Sequence, residues 1–143
     1  MTLRIDDVIA TFDMLDAWED RYRYLIEMGR SLAPLTEEER TEDNRVRGCA
    51  SQVWVVTTPT HTTDGAPVLD FRGDSDAHIV RGLVCLVLTL YSDRPAGEIA
   101  QTDATEVFTQ LGLDAHLTPQ RSNGVRSMVE RIKHDARQAL SPA

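Results

Sequence analysis

SQVWVVTT, residues 51–58, and PVLDFRG, residues 67–73, decide the fold between them. Both are rich in β-branched and aromatic residues, which suit a pleated, half-buried surface better than a helix. The polar HTTDGA, residues 61–66, separates them and carries Asp64-Gly65. The pair therefore reads as an antiparallel hairpin, with a loop longer than a two-residue turn. On both sides of this hairpin the hydrophobic period becomes helical.

Upstream, the pattern predicts a first helix over Ile5–Leu15. Asp16 then reads as an N-cap with Glu19 three residues on, a variant of the capping box that starts a second helix. There Trp18, Tyr22, Leu25, Ile26, Gly29 and Leu32 share one face, opposite Glu19, Arg23, Glu27 and Arg30, as in an amphipathic core helix. The charged stretch Thr36 to Asn44 reads as a solvated turn region. Downstream, Ser75 or Asp76 is the expected cap of a third helix ending at Tyr91. Its Ile79, Val80, Leu83, Val84, Leu86, Val87, Leu88 and Leu90 cover more than half the circumference, which puts it at the centre, largely buried. Short helical pieces are expected over 95–101 and 104–111, then a loop HLTPQRSNG, residues 116–124. In the last helix Val125, Met128, Val129, Ile132 and Ala136 form a narrow stripe, with Lys133, His134 and Arg137 facing away. The sum is an α+β fold, a small antiparallel β-sheet packed with several helices.

With 143 residues and 41% hydrophobic content, the chain has the material for one core, and neither repeat nor linker divides residues 1–143. Its 15 basic and 23 acidic residues give a formal charge of −8, which works against nucleic acid and anionic membrane surfaces as partners. No apolar run is long enough to span a bilayer, and MTLRIDDVIATF lacks the basic and apolar regions of a signal peptide, so a cytoplasmic location is expected. Cys49 and Cys85 are too far apart for a CxxC pair and too few for a disulfide framework, so reduced thiols are expected. His61, His78, His116 and His134 are scattered, which gives no metal-ligand spacing.

Cys49 is the candidate nucleophile. Gly48 before it admits backbone conformations closed to other residues, and the small Ala50 and Ser51 leave room for an approaching molecule. Arg45 and Arg47 favour the thiolate, partly offset by Glu42 and Asp43. Local sequence leaves a second reading open, in which Cys49 is a small hydrophobe at a strand start. Cys85 lies within the third helix and reads as a packing residue, as do Trp18 and Trp54. A Cys-His hydrolase with His116 as base would be a different class of function.

Four stretches resemble the SufE family: RYRYLIEMGRSLAPL (21–35), NRVRGCASQVWVV (44–56), GDSDAHIVRGLVCLVL (73–88) and LGLDAHLTPQRSNGVRSMVERI (111–132). They occur in the family's order and cover nearly the whole chain. Ala50, the extra thiol Cys85 and the hairpin loop 57–67 depart from its pattern. The resemblance implies a fold shared with IscU-type scaffold proteins. It also implies that Cys49 accepts sulfur as a persulfide from a SufS-type cysteine desulfurase, enhances that enzyme's turnover and passes the sulfur to a Suf-type scaffold complex for iron-sulfur cluster assembly. The chain would then be a sulfur-transfer component with no turnover of its own. It would bind no cofactor, the pyridoxal phosphate belonging to the desulfurase, and would be a monomer or weak homodimer. Gly48, Asp76, His116 and Arg121 lie in the matching motifs and are expected to border the Cys49 loop or contact the partner. A third class, beside the sulfur-transfer component and the hydrolase, is a non-catalytic regulator that activates the desulfurase without carrying sulfur.

Overall fold

A computed structural model describes residues 4–141. Residues 1–3, at the start of the N-terminal stretch, and 142–143, at the end of the expected single domain, lie outside the described residues. Along the chain run α1 (Ile5–Met14), α2 (Trp18–Arg30), β1 (Val53–His61), β2 (Pro67–Ser75), α3 (His78–Tyr91), β3 (Arg94–Pro95), α4 (Ala96–Gln101), α5 (Ala104–Gln110), α6 (Leu113–His116) and α7 (Pro119–Leu140). The fold is α+β, as expected.

β1 and β2 form the hairpin, in register from Val53 opposite Ser75 to His61 opposite Pro67. The loop closes on itself: the Thr62 N–H donates to the Ala66 carbonyl at 2.9 Å and the Gly65 N–H to the Thr62 carbonyl at 3.0 Å. β3 pairs antiparallel with Val68 and Leu69, giving the order β1-β2-β3. The hydrophobic pattern did not announce β3, because two residues are too few for any period to register. Along β1, consecutive Val53, Trp54 and Val55 are all buried, so both faces are covered at the end next to Cys49, whereas Thr58 to His61 are exposed.

α3 is the central helix. Its Leu83, Val84, Leu86, Val87, Leu90 and Tyr91 are each at most 4% exposed, and burying each such side chain is worth about 1.5–3 kcal/mol. It packs against α2, β2 and α7. The α2–α3 crossing is closed by two glycines: a Cβ on Gly29 would lie 2.7 Å from the Gly82 nitrogen, and one on Gly82 would lie 2.6 Å from the Leu25 carbonyl carbon. Two backbones this close leave no room for side chains between them.

Three local expectations are corrected. α2 is capped at Ala17 and α3 at Ala77, both without a side-chain cap, so neither Asp16 nor Asp76 caps a helix. Ser75 Oγ does accept from the Ala77 N–H at 3.3 Å, just outside α3. α7 starts at Pro119, inside the expected loop, because Thr118 Oγ1 accepts from the Arg121 N–H at 3.3 Å and Pro119 supplies a pre-set first helical residue.

The region 36–44 is more than a solvated turn. Glu39, in a 3₁₀ turn over Glu37–Glu39, accepts from the Thr36 N–H at 3.1 Å and is bridged by the Arg72 guanidinium. Those contacts, Arg72 first, hold the Glu39 carboxyl down to about 2. Arg40 reaches Asp74 at 2.9 Å and lies over the Trp54 ring at 5.2 Å. Asp74 is 4% exposed, and Arg81 of α3 approaches its other carboxylate oxygen at 2.9 Å. A carboxylate this deep needs such partners, since its desolvation would otherwise cost several kcal/mol, at least about 3.

Candidate functional site

The segment carrying Cys49 is a loop closed at its base by backbone pairing. The Val46 N–H donates to the Val53 carbonyl and the Val55 N–H to the Asn44 carbonyl, both at 2.8 Å, and Arg45 forms a bridge with Trp54. Residues 47–52 are thereby pushed out as a short excursion. Side chains from elsewhere hold both limbs. On one side Arg131 of α7 donates to the Asp43 carbonyl at 2.9 Å and the Arg45 carbonyl at 3.4 Å. On the other, Asp76 Oδ1 accepts from the Gln52 N–H at 3.1 Å. Within the loop Gly48 has φ +91°, a conformation that calls for glycine, and it packs against Ser127 of α7, whose Oγ would lie 2.5 Å from an added Cβ.

Cys49 sits half-buried at one wall of a cleft of about 260 Å³ between α3 and α7. Ile79, Val80 and Leu83 form the α3 wall, Val125 and Met128 the α7 wall, and Arg121 is the one ionisable side chain besides the thiol. The thiol donates to the Gly124 carbonyl at 3.5 Å, and an added Cβ on Gly124 would sit 3.5 Å from Sγ. Burial pushes the Cys49 thiol above its ordinary value, and the charge of Arg45 pulls it partly back. Of the opposing influences on this thiol, desolvation is the larger.

One consequence is measurable. Because the thiolate is the reacting form, the pH at which iodoacetamide alkylation of Cys49 is half-maximal should lie above that of a peptide spanning 44–56, and below that pH the folded protein should react more slowly. Denaturation in urea should abolish the difference. Equal rates before and after unfolding would mean that the cleft does not restrain the thiol.

Gly48 and Asp76 build the Cys49 loop, and Arg121 lines its cleft. His116 stands elsewhere: its ring stacks on Trp18 at 3.9 Å, its carbonyl accepts from the Tyr22 hydroxyl at 3.0 Å, and it does not line the cleft. Cys85 is 6% exposed and faces a separate recess with Ser31 and Gly73, its Sγ 3.8 Å from Ser31 Oγ. Gly124, Ser127 and Arg131 were not singled out by sequence, although all three act on the Cys49 loop. The Thr118-Pro119 pair was a legible helix-start signal that would have put Gly124 on a helix. For Ser127 and Arg131 there was no local signal, because their partners lie 79 and 88 residues upstream. Among the described residues no three His, Cys, Asp or Glu side chains converge as metal ligands would, and no helix is long and apolar enough to cross a membrane.

The sequence profile of the SufE family, described as an Fe-S metabolism associated domain, matches residues 6–136. An uncharacterized SufE-like protein of Rhizobium etli is 56% identical over 135 residues, covering 93% of this chain and 89% of the relative. Another, from Rhizobium meliloti, is 53% identical, covering 92% and 94%. Among solved structures, a hypothetical protein from Thermus thermophilus superposes with a TM-score of 0.70 over 95% of both chains at 21% identity, which shows a shared fold. On this coverage and identity the chain belongs to the SufE family, and its role lies in iron-sulfur metabolism.

Proposed function

We propose that this protein is a sulfur acceptor and carrier. Its Cys49 takes persulfide sulfur from a SufS-type cysteine desulfurase, enhances the turnover of that enzyme and hands the sulfur to a Suf-type cluster-assembly scaffold in the cytoplasm. The observation that carries the reading is the placement of Cys49, directly after Gly48, on a pinned loop at the edge of a largely apolar cleft.

The transfer balances as a thiol exchange. The Cys49 thiol loses its proton, and the thiolate attacks the outer sulfur of the desulfurase persulfide. The sulfur-sulfur bond of the donor breaks, the desulfurase cysteine leaves as thiolate and takes up a proton, and Cys49 becomes the persulfide with no net oxidation. The pyridoxal phosphate that extracts sulfur from cysteine is the donor's, and this chain supplies only the acceptor. At rest the raised thiol pKa keeps Cys49 protonated and shielded from oxidants. Docking that draws the loop out of its cleft would restore thiolate and access together.

Arg121 lines the cleft and makes no ion pair within 4.0 Å among the described residues. Its guanidinium is suited to steady the thiolate or persulfide charge. Arg121→Ala should slow sulfur acceptance about tenfold while the thermal midpoint stays close to wild type. An unchanged rate removes Arg121 from the mechanism.

The test of the whole reading is intact-protein mass spectrometry after incubation with a cysteine desulfurase, pyridoxal phosphate and cysteine. Expected is a DTT-reversible gain of sulfur mapped to Cys49. No gain beside a demonstrably active cognate desulfurase that is still stimulated would favour a regulator. A hydrolase draws no support from the site, since His116 stacks on Trp18 and offers no base beside the thiol.

A further inference from the structure

The distribution of charge around the Cys49 loop is unlike that of the rest of the surface. In a chain of net charge −8, Arg45, Arg47, Arg121 and Arg126 gather on this face, against the carboxylates Glu42, Asp43 and Glu130. Arg131 is the fifth arginine here, but Asp135 offsets it at 3.3 Å. Asp76, which pins the far limb of the loop, completes the balance, so the face is close to neutral and the remainder of the chain carries the whole negative charge.

Among the described residues Arg121 and Arg126 make no ion pair within 4.0 Å, and Arg47 is held by one exposed pair alone. Arg47 and Arg126 share a recess beside Ser127, the residue against which Gly48 packs, so they flank the loop itself. The Arg47 side chain is 81% exposed, and Glu42, its partner at 3.4 Å, is shared with Arg45 at 3.7 Å. Arg126 is exposed and, among the described residues, donates only to Asn123 Oδ1, at 3.3 Å. Exposed contacts of that kind are worth little and exchange readily with a competing anion.

We propose that Arg47 and Arg126 form a recognition rim for an acidic protein surface surrounding the donor persulfide. This rests on the sulfur-acceptor reading for the identity of the donor, a cysteine desulfurase, and adds how the donor is recognised. An acidic patch would be repelled by most of this chain and least so where Cys49 is presented beside two exposed arginines, so the field orients the encounter before contact. Arginine suits the task because its planar fork grips carboxylates in pairs.

The experiment follows the association of the full chain with an immobilised cysteine desulfurase across a range of NaCl concentrations, for wild type and for the double variant R47E/R126E. Wild-type association should slow as salt rises. The double variant should associate about tenfold more slowly at low ionic strength, and its rate should no longer fall as salt rises, with an unchanged thermal midpoint. The single variant R126E, away from the loop backbone, should show part of the effect. Equal rates for variant and wild type, a salt-independent wild type, or no association at all would overturn the rim. So would equally tight binding of wild type to duplex DNA or to phosphatidylserine vesicles. The mass of Cys49 is read separately. Association through the rim without sulfur on Cys49 refutes the acceptor reading and leaves the rim standing, whereas sulfur transfer with equal association rates refutes the rim alone.

Discussion

Cys49→Ser is expected to gain no sulfur when incubated with an active desulfurase and cysteine, while Cys85→Ser loads to within about twofold of wild type. Serine offers an oxygen where a sulfur nucleophile is needed, so the loss should be complete rather than graded. The fold should survive, because Cys49 is half-buried and its side chain makes, among the described residues, a single long hydrogen bond, to Gly124, which limits the cost to about 1 kcal/mol or less. Cys85 shares a thiol pushed up by burial but differs in access: it is 6% exposed and faces a recess separate from the Cys49 cleft. Peptide mapping after mild alkylation decides the assignment. Sulfur retained on Cys49→Ser and lost from Cys85→Ser would overturn it. Stimulation of the desulfurase by Cys49→Ser equal to that by wild type would turn the protein into a regulator.

Gly82→Ala should destabilise the protein by on the order of 3 kcal/mol, although alanine is intrinsically the better helix former by about 1 kcal/mol. The two effects oppose, and the steric one is larger. The added Cβ would fall on the Leu25 carbonyl of α2, and backbone at a helix crossing cannot swing aside as a flexible side-chain tip would. Relief would require α2 and α3 to separate, opening the contacts of Leu25, Leu83 and Leu86, all at most 1% exposed. Gly97→Ala provides the control. It lies in α4, where a Cβ would meet nothing within 4 Å, so the same substitution should be neutral or stabilising. Urea denaturation of the three proteins measures both differences. A Gly82→Ala midpoint equal to wild type would mean that the crossing is looser than its geometry implies.

The hairpin, the central helix and the stripe of α7 were legible because each depends on a local period: β-branched runs around Asp64-Gly65, apolar residues round most of α3, and Val125, Met128, Ile132 and Ala136 on α7. Cys49 was legible too, since a cysteine after glycine and before a strand-forming run is a local feature, and the surrounding motifs carried the family. Ends of helices were read less well. Asp16 and Asp76 have the right side chains for capping, but whether a carboxylate caps its own helix depends on what else competes for it. For Asp76 the competitor is the backbone N–H of Gln52, 24 residues upstream.

Sequence by itself thus determined the α+β class, the family and the candidate nucleophile, all of which follow from residue type and short-range spacing. Tertiary structure alone decided what surrounds that nucleophile. It brought Gly124, Ser127 and Arg131 of α7 to the Cys49 loop, sent His116 to Trp18, and gathered exposed arginines on the same face. It also made burial outweigh the nearby positive charge in setting the thiol's pKa. Desolvation and long-range contact depend on how the chain closes in space, and neither leaves a periodic trace along it.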